Sequence, residues 1–395
     1  MLPDGWSILP ISEILERVSD PIFPKPEENY YQIGIRSHGK GIFHKKPVTG
    51  ESLGNKRVFR VHPDCFVVNI VFAWEQAIAK TSTSEVGRIA SHRFPMFRPK
   101  NNLCDVDYLT YLFKTPKGKY LLGLASPGGA GRNKTLGQNE FSLLKLTLPP
   151  IMEQQKTSQI LSTWDKAIEN LEALIAVKQK RKKALMQQLL TGNMRLPGFS
   201  GEWTNVMLSN LANVTMGSSP KSDAYNEDGV GLPLIQGNAD IKNRLSAPRI
   251  YTAEITKECK PKDILMSVRA PVGAIAISIH HACIGRGICA VTAIKSVDQQ
   301  FLYHWLLAFE PKWASLSQGS TFESVNSADV KSLIIYIPIE KTEQQKIATV
   351  LSAADQEITV HKNQLTALKQ QKTALMQQLL TGKVRVKLKL KELSQ

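Results

Sequence analysis

Ala184-Leu185-Met186-Gln187-Gln188-Leu189-Leu190-Thr191-Gly192 recurs letter for letter as Ala374 to Gly382. The identity is the tail of a longer duplication. Residues 153–195 align with 343–385 without a gap at an offset of 190, and 19 of 43 positions match. Glu153-Gln154-Gln155-Lys156 opens the first copy and Glu343-Gln344-Gln345-Lys346 the second. A period this long marks two related units in one chain, built as a pseudo-dimer. Function therefore has to use two similar halves.

The duplicated segment has the pattern of a long helix. Pro149-Pro150 and Pro338 precede the copies, and Gly192 and Gly382 stand where a helix is capped at its carboxyl end. Apolar residues recur every seven positions. In the first copy the columns are Leu161, Ile168, Ile175, Lys182, Leu189 and Trp164, Leu171, Lys178, Leu185. In the second they are Leu351, Ile358, Leu365, Lys372, Leu379 and Ala354, His361, Leu368, Leu375. This is a coiled-coil signature. The three lysines and His361 point to an imperfect or partly open seam with snorkelling side chains. About 40 residues give a rod of roughly 60 Å. Antiparallel pairing of the copies would relate the halves by a pseudo-twofold axis. The alternative is two separate amphipathic helices, each lying on its own domain. Around the identical tail the apolar stripe widens to Leu185, Met186, Leu189 and Leu190, and to Leu375, Met376, Leu379 and Leu380. We expect that face to dock a partner; packing on a neighbouring globular domain is the alternative.

The bulk numbers agree with a nucleic-acid partner. The chain has 395 residues and a net charge of +16. Residues 1–150 contribute +7, 151–199 +4, 200–337 zero and 338–395 +5. Such an excess suggests a polyanion, against a merely solubilising surface. The five cysteines form no Cys-x-x-Cys pair, which fits a reducing, cytoplasmic setting. There is no signal-peptide pattern at the start and no apolar run of spanning length, so no membrane is expected.

The domain plan follows from these signals. Residues 1–150 form a first globular head, 151–195 the first long helix, 196–337 a second head, and 338–395 the second helix with a basic tail. Both heads are mixed α/β. Strands are expected at Phe66–Phe72, Tyr120–Leu124 and Leu143–Leu148, then at Ile264–Val268, Ala274–Ile279 and Leu333–Ile337, with a helix at Asp298–Phe309. The heads open alike, Pro3-Asp4-Gly5-Trp6 and Gly201-Glu202-Trp203, yet barely match elsewhere. A shared scaffold with unlike heads suits two readers of different targets.

At these residues the chain resembles the specificity subunit of type I restriction–modification systems, over essentially its whole length. The resemblance rests on the order head, helix, head, helix. It rests also on the junctions Leu146 to Lys156 and Ile337 to Ala348, and on the tails Leu189 to Gly192 and Leu379 to Gly382. In the second head Pro233-Leu234-Ile235, Asp240-Ile241, Asp263 to Ser267, Pro271-Val272-Gly273 and Gly319-Ser320-Thr321 look like family motifs. The first head departs, with Ala73-Trp74-Glu75 and Ser126-Pro127-Gly128-Gly129 at the corresponding places. The resemblance implies two target-recognition domains separated by two long antiparallel coiled-coil helices, reading a bipartite double-stranded DNA target. It also implies two modification (methyltransferase) subunits as partners, with ATP-dependent restriction subunits outside them. This chain would supply sequence choice, with no catalysis and no cofactor of its own. The alternatives are the specificity chain of a two-subunit system cutting both sides of its site, and a non-specific DNA-binding coiled-coil scaffold.

Loops carrying arginine, lysine, asparagine and serine are the DNA-contact candidates. In the first head these are Arg36, Ser37, His38, Lys40, Lys45 and Lys46, then Arg132, Asn133 and Lys134. In the second they are Ser218, Ser219, Lys221, Asn238, Lys242, Asn243, Arg244, Arg269, Ser320 and Thr321. Patterns that imitate catalytic or cofactor sites fail on inspection. Gly34-x-x-x-x-Gly39-Lys40 has Gly41 where a P-loop needs Ser or Thr. Gly285-Arg286-Gly287 begins a dinucleotide-like spacing, but Ile288 to Val291 has strand character instead of helix. His280-His281, adjacent in a strand, would point to opposite faces, so no metal is expected there.

Overall fold

The computed structural model describes residues 2–128, 134–317 and 324–388. It divides into two compact units, Met1–Leu171 with Gln364–Gln395, and Glu172–Asn363. Each unit holds a head, part of the helix Ile151–Leu189 and part of the helix Lys341–Leu379. We call these helices the first and second struts.

In the first unit a strand at Ser7–Pro10 pairs antiparallel with Lys145–Leu148, which leads directly into the first strut. A sheet in the order Ile78–Lys80, Phe66–Val68, Met96–Pro99, Leu15–Val18 carries the core, with the helix Val106–Lys114 against it. Smaller strands at residues 21–60 and 89–91 extend this head. The second unit repeats the plan. Trp203–Met207 pairs with Ile334–Pro338, which leads into the second strut. The core sheet runs Ala212–Met216, Ile288–Ala293, Ile264–Ser267, Ile275–Ile277, and continues through Leu245–Ser246 and Ile241–Lys242. The helix Gln299–Ser317 packs on it. A five-stranded sheet sets Leu232–Ile235 and Ala282–Ile284 side by side in parallel; the first head has a smaller sheet at the same point of the chain, Ile89–Ser91, Val58–Arg60 and Pro21–Ile22, with a parallel bridge from Gln32 to Ile89.

Most expected strands are present, some trimmed. Tyr120–Leu124 is a correction. It belongs to a helix, Pro116–Leu124, begun by proline in its first turn and capped by Thr115, whose Oγ1 accepts the Gly118 N–H at 3.0 Å. His280 and His281 lie in a turn instead of a strand; they bond Ser246 and Glu258 respectively.

One heptad column of each strut is largely buried and the other, from Trp164 to Leu185 and from Ala354 to Leu375, is half-buried. Leu161, Ile168, Ile175 and Leu189 of the first strut, and Leu351, Ile358 and Leu379 of the second, are all buried. The struts pair antiparallel within each unit, and the lysines in the columns explain how. Lys182 meets Asp355 at 2.6 Å and Lys178 meets Glu357 at 2.5 Å in the second unit; Lys372 meets Asp165 at 2.5 Å in the first. Each seam lysine thus answers a carboxylate on the opposite strut. Such partly exposed pairs contribute little stability, up to about 1 kcal/mol, but a slip of one turn would set ammonium groups against leucines. They fix register and direction.

The opening tetrad of each repeat is a structural joint. Glu343 is fully buried, and Arg195 holds it through Nε and Nη2 at 2.6 and 2.8 Å. Arg385 holds Glu153 through Nη2 at 2.7 Å. Gln344 accepts the Asp298 N–H and donates to the Pro338 carbonyl; Gln154 accepts the Asp105 N–H and donates to the Pro149 carbonyl. Glu and Gln therefore seat each strut on its head, while the following Gln155 and Gln345 stay exposed. Gly192 and Gly382 turn the chain with φ near +71° and +72°, and each lies against a tryptophan, Trp203 and Trp6.

The wide apolar tails do not form a free docking face. Leu189 and Leu190 sit in the second unit's core with Leu185 and Met186 packed beside them. Leu379 and Leu380 sit in the first unit's core with Leu375 and Met376. The expectation of an exposed partner face is corrected for the four buried leucines, because each head uses them as its own floor.

One strut-facing position differs chemically between the heads. In the first, the Tyr111 hydroxyl donates to Asp165 at 2.6 Å. In the second the corresponding residue is His304, 1% exposed, with Nε2 3.0 Å from Ser352 Oγ and Nδ1 4.0 Å from Asp355. Burial, then Lys182 nearby, push its pKa down to about 4 against the attraction of Asp355. The ring is neutral at pH 7, so its contact with Asp355 is not an ion pair.

Two outcomes follow. Arg195→Ala leaves the Glu343 carboxylate buried and unpaired and should cost on the order of 3 kcal/mol. Urea unfolding checks this, and a loss below about 0.5 kcal/mol would contradict the joint. His304 takes a proton in the unfolded chain near pH 6.5 but in the folded one only near 4. The second unit's stability should be full above pH 6.5 and fall by about 3 kcal/mol as pH drops to 4. His304→Gln should flatten that slope in denaturation curves taken across the window.

Candidate nucleic-acid interface

In the first head the strands Ile33–Ile35 and Ile42–His44 form a hairpin whose tip holds the basic stretch. The hairpin closes tightly because Gly34 lacks a side chain; a Cβ there would stand 2.3 Å from the Phe43 ring. The tip is tied down. The His38 N–H donates to the Glu75 carbonyl at 2.6 Å, the Gly39 N–H to the Gln76 carbonyl at 2.8 Å, and Ser37 Oγ to Glu75 Oε2 at 2.9 Å. Gln76 in turn donates to the Phe113 and Thr115 carbonyls. His44 at the base bonds Glu85 at 2.9 Å. Burial works to raise the Glu85 pKa, but hydrogen bonds from Ser84, His44 and Ser82 outweigh it and hold the group near 2. The result is a fixed platform with Arg36, His38, Lys40, Lys45 and Lys46 exposed on it. Arg36 lies over the Phe43 ring at 5.1 Å. Ser37 is already bonded within the platform. Lys134 stands 6.0 Å from the Trp74 ring, on a different loop, and Arg132 and Asn133 lie outside the described residues.

In the second head a polar cavity of about 360 Å³ gathers Ser219, Asn238 and Arg269 with Tyr225, Gln236 and Arg286. Its walls come from distant parts of the sequence. Asp240, 3% exposed, accepts the Gln236 N–H at 2.9 Å and Arg249 Nε at 3.0 Å, fixing the turn that carries Asn238. Ser267 Oγ donates to the Pro271 carbonyl and accepts the Ala274 N–H, shaping the loop after Arg269. Gly273 in that loop has φ +83°, and a Cβ would stand 2.2 Å from Trp313.

Other expected residues fall elsewhere. Arg244 is exposed, donates to Glu310 at 2.6 Å and to the Ile275 carbonyl, and does not line the cavity. Ser218 accepts the Thr256 hydroxyl through its carbonyl. Lys221, Lys242 and Asn243 are exposed but do not line the cavity, and Ser320 and Thr321 lie outside the described residues. Gln236, Tyr225 and Arg286 were missed in the sequence. The Gly285-Arg286-Gly287 turn was the available signal, set aside because it fails as a nucleotide fingerprint.

The heads share one further detail. Sheet register places Ala73–Glu75 of the first in the same strand connection as Pro271-Val272-Gly273 of the second.

Comparison with known proteins agrees with this plan. The type I restriction modification DNA specificity domain matches twice, at residues 3–179 and 200–370. A Methanocaldococcus jannaschii protein named for the MjaX type I restriction enzyme specificity subunit is 33% identical over 305 residues, 74% of this chain and 71% of its own. The MjaVIII specificity subunit from the same organism is 23% identical and covers 98% of this chain and 94% of its own. Among solved structures, the HsdS subunit from Thermoanaerobacter tengcongensis is 24% identical with a TM-score of 0.54, covering 97% of this chain and 98% of its own. The S subunit from M. genitalium is 14% identical with a TM-score of 0.63, covering 95% and 96%. The protein belongs to the type I restriction–modification specificity family, as a specificity subunit carrying two target-recognition domains.

Proposed function

We propose that each head reads one half of a split DNA target, and that the struts set the unspecified gap between the halves. The carrying observation is the pairing of one repeated scaffold with two unlike reading surfaces: a basic hairpin in the first head, a polar cavity in the second. A scaffold duplicated for strength alone would have no reason to carry different heads. Phosphate contacts position a reader and base edges inform it. Both are available from the arginine, lysine and amide groups on these surfaces.

On this reading the chain works in the cytoplasm and makes no covalent change to DNA. Methylation belongs to two modification subunits docked on this chain, and ATP-driven cleavage to restriction subunits. The extents of the recognition domains are taken as residues 1–150 and 196–337, with 151–195 and 338–395 as connecting helices. Docking surface for the modification subunits is sought on the outward strut faces, since the terminal leucines are already buried.

Inserting four residues into each strut lengthens the pair by about 6 Å. That is nearly two base-pair steps at about 3.4 Å each. Methylated sites sequenced from cells expressing this variant with its modification subunit should show a longer gap between unchanged half-sites; an unchanged gap would defeat the ruler role. Replacing Lys40, Lys45 and Lys46 with alanine should weaken duplex binding and make its salt dependence shallower, by up to about 2.7 in log–log slope. Fluorescence anisotropy at several salt concentrations reads both effects.

A further inference from the structure

The turn Gly285-Arg286-Gly287 joins the strands Ala282–Ile284 and Ile288–Ala293 of the second head. Packing demands its glycines. A Cβ on Gly287 would lie 2.3 Å from the Gln236 carbonyl oxygen, and one on Gly285 3.1 Å from the Gln236 Cα. Its backbone is bonded to both neighbours: the Gly285 N–H to the Ile235 carbonyl at 2.9 Å, the Gly287 N–H to the Gln236 carbonyl at 3.1 Å, and the Val268 N–H to the Gly287 carbonyl at 3.0 Å. The arginine side chain is also held. The Arg286 backbone N–H and its Nε both donate to Ser219 Oγ, at 3.1 and 3.4 Å. The terminal nitrogens remain for a ligand. Arg269 lines the same cavity, and no carboxylate among the described residues does. Two guanidinium groups are thus concentrated in a head whose formal charge is zero over residues 200–337.

The first head has a counterpart. There the Ile70 N–H donates to the Arg93 carbonyl at 3.0 Å, as the Val268 N–H does to Gly287. His92-Arg93 therefore occupies the place of Arg286-Gly287, in the turn entering the matching sheet strand. The reading surfaces around the two turns differ. By that register Arg93 stands at Gly287 and His92 at Arg286, so both turns carry a nitrogen-donor side chain at one position. A feature common to two otherwise unlike readers should serve what their half-sites have in common. Base edges differ between half-sites; the sugar-phosphate backbone does not.

We propose that Arg286 and Arg269 form a seat for one backbone phosphodiester of the duplex, with Ser219 as a positioning residue. The seat sets the second head's register without reading a base. This rests on the reading that the heads bind DNA.

The test uses the full chain purified with its modification subunit. Binding to mixed-sequence duplexes is measured by anisotropy over a range of salt, and methylated sites are mapped in cells. Arg286→Ala combined with Arg269→Ala should weaken binding and make the log–log salt slope shallower by about 0.9, the loss of one phosphate contact, and Arg286→Ala alone should weaken binding and lower the slope by part of that amount. The letters of the methylated motif should stay unchanged. Arg286→Lys keeps the charge and should restore the slope, whereas a two-point base contact would not survive that change. Relaxation of one motif position with an unchanged slope would make Arg286 a base reader and overturn the seat. A variant matching the parent chain in affinity, slope and motif would also overturn it. If the parent chain itself shows no salt-dependent duplex binding, the broader DNA reading fails instead. Arg286 is exposed, and matching thermal melts for the parent and each variant establish that the effects are not unfolding.

Discussion

A buried carboxylate cannot stay charged without a partner, and both heads rest on one. Glu153 and Glu343 lie at the foot of the two struts, 5% and 0% exposed at their side chains, each gripped by an arginine that follows the end of the other strut. Removing an ion from water costs several kcal/mol unless the geometry repays it. The bond therefore forces the end of one strut to lie beside the beginning of the other. Antiparallel pairing, the placement of the tail leucines and the approach of Trp6 and Trp203 to the capping glycines all follow from that requirement.

Within this frame the heads are free to vary. Their common part is the sheet that meets the struts, together with the helix whose preceding aspartate, Asp105 or Asp298, donates its N–H to Gln154 or Gln344. Their different parts lie farther along: a hairpin braced by Glu75 and Glu85 and a three-stranded sheet in one, a five-stranded sheet with its cavity in the other. Even within the shared part chemistry drifts where geometry tolerates it. Tyr111 and His304 both face a strut aspartate, yet only His304 titrates in the acid range.

What could be read from residues alone follows physical locality. The struts were legible because a heptad is a local pattern repeated many times, and of the columns named in the sequence one in each strut is largely buried and the other half-buried. The seam lysines looked like defects because their partners, Asp165, Asp355 and Glu357, are near only after the struts pair. Tyr120–Leu124 has the look of a strand by composition; Pro116 and Thr115 upstream decide for helix. Arg244 resembled a free cation because Glu310 is 66 residues away. The second head's cavity was half legible: Ser219, Asn238 and Arg269 were in view, while Arg286 and Gln236 enter it only through a parallel pairing of strands that no local pattern announces.

The nine identical residues at the strut tails gain a meaning from where they sit. Each tail plugs the floor of the head encoded by the opposite repeat: Leu379 and Leu380 close the first, Leu189 and Leu190 the second. The two plugs therefore fit matching sockets and are interchangeable parts. One short stretch of sequence thus closes two cores whose remaining residues are largely unlike.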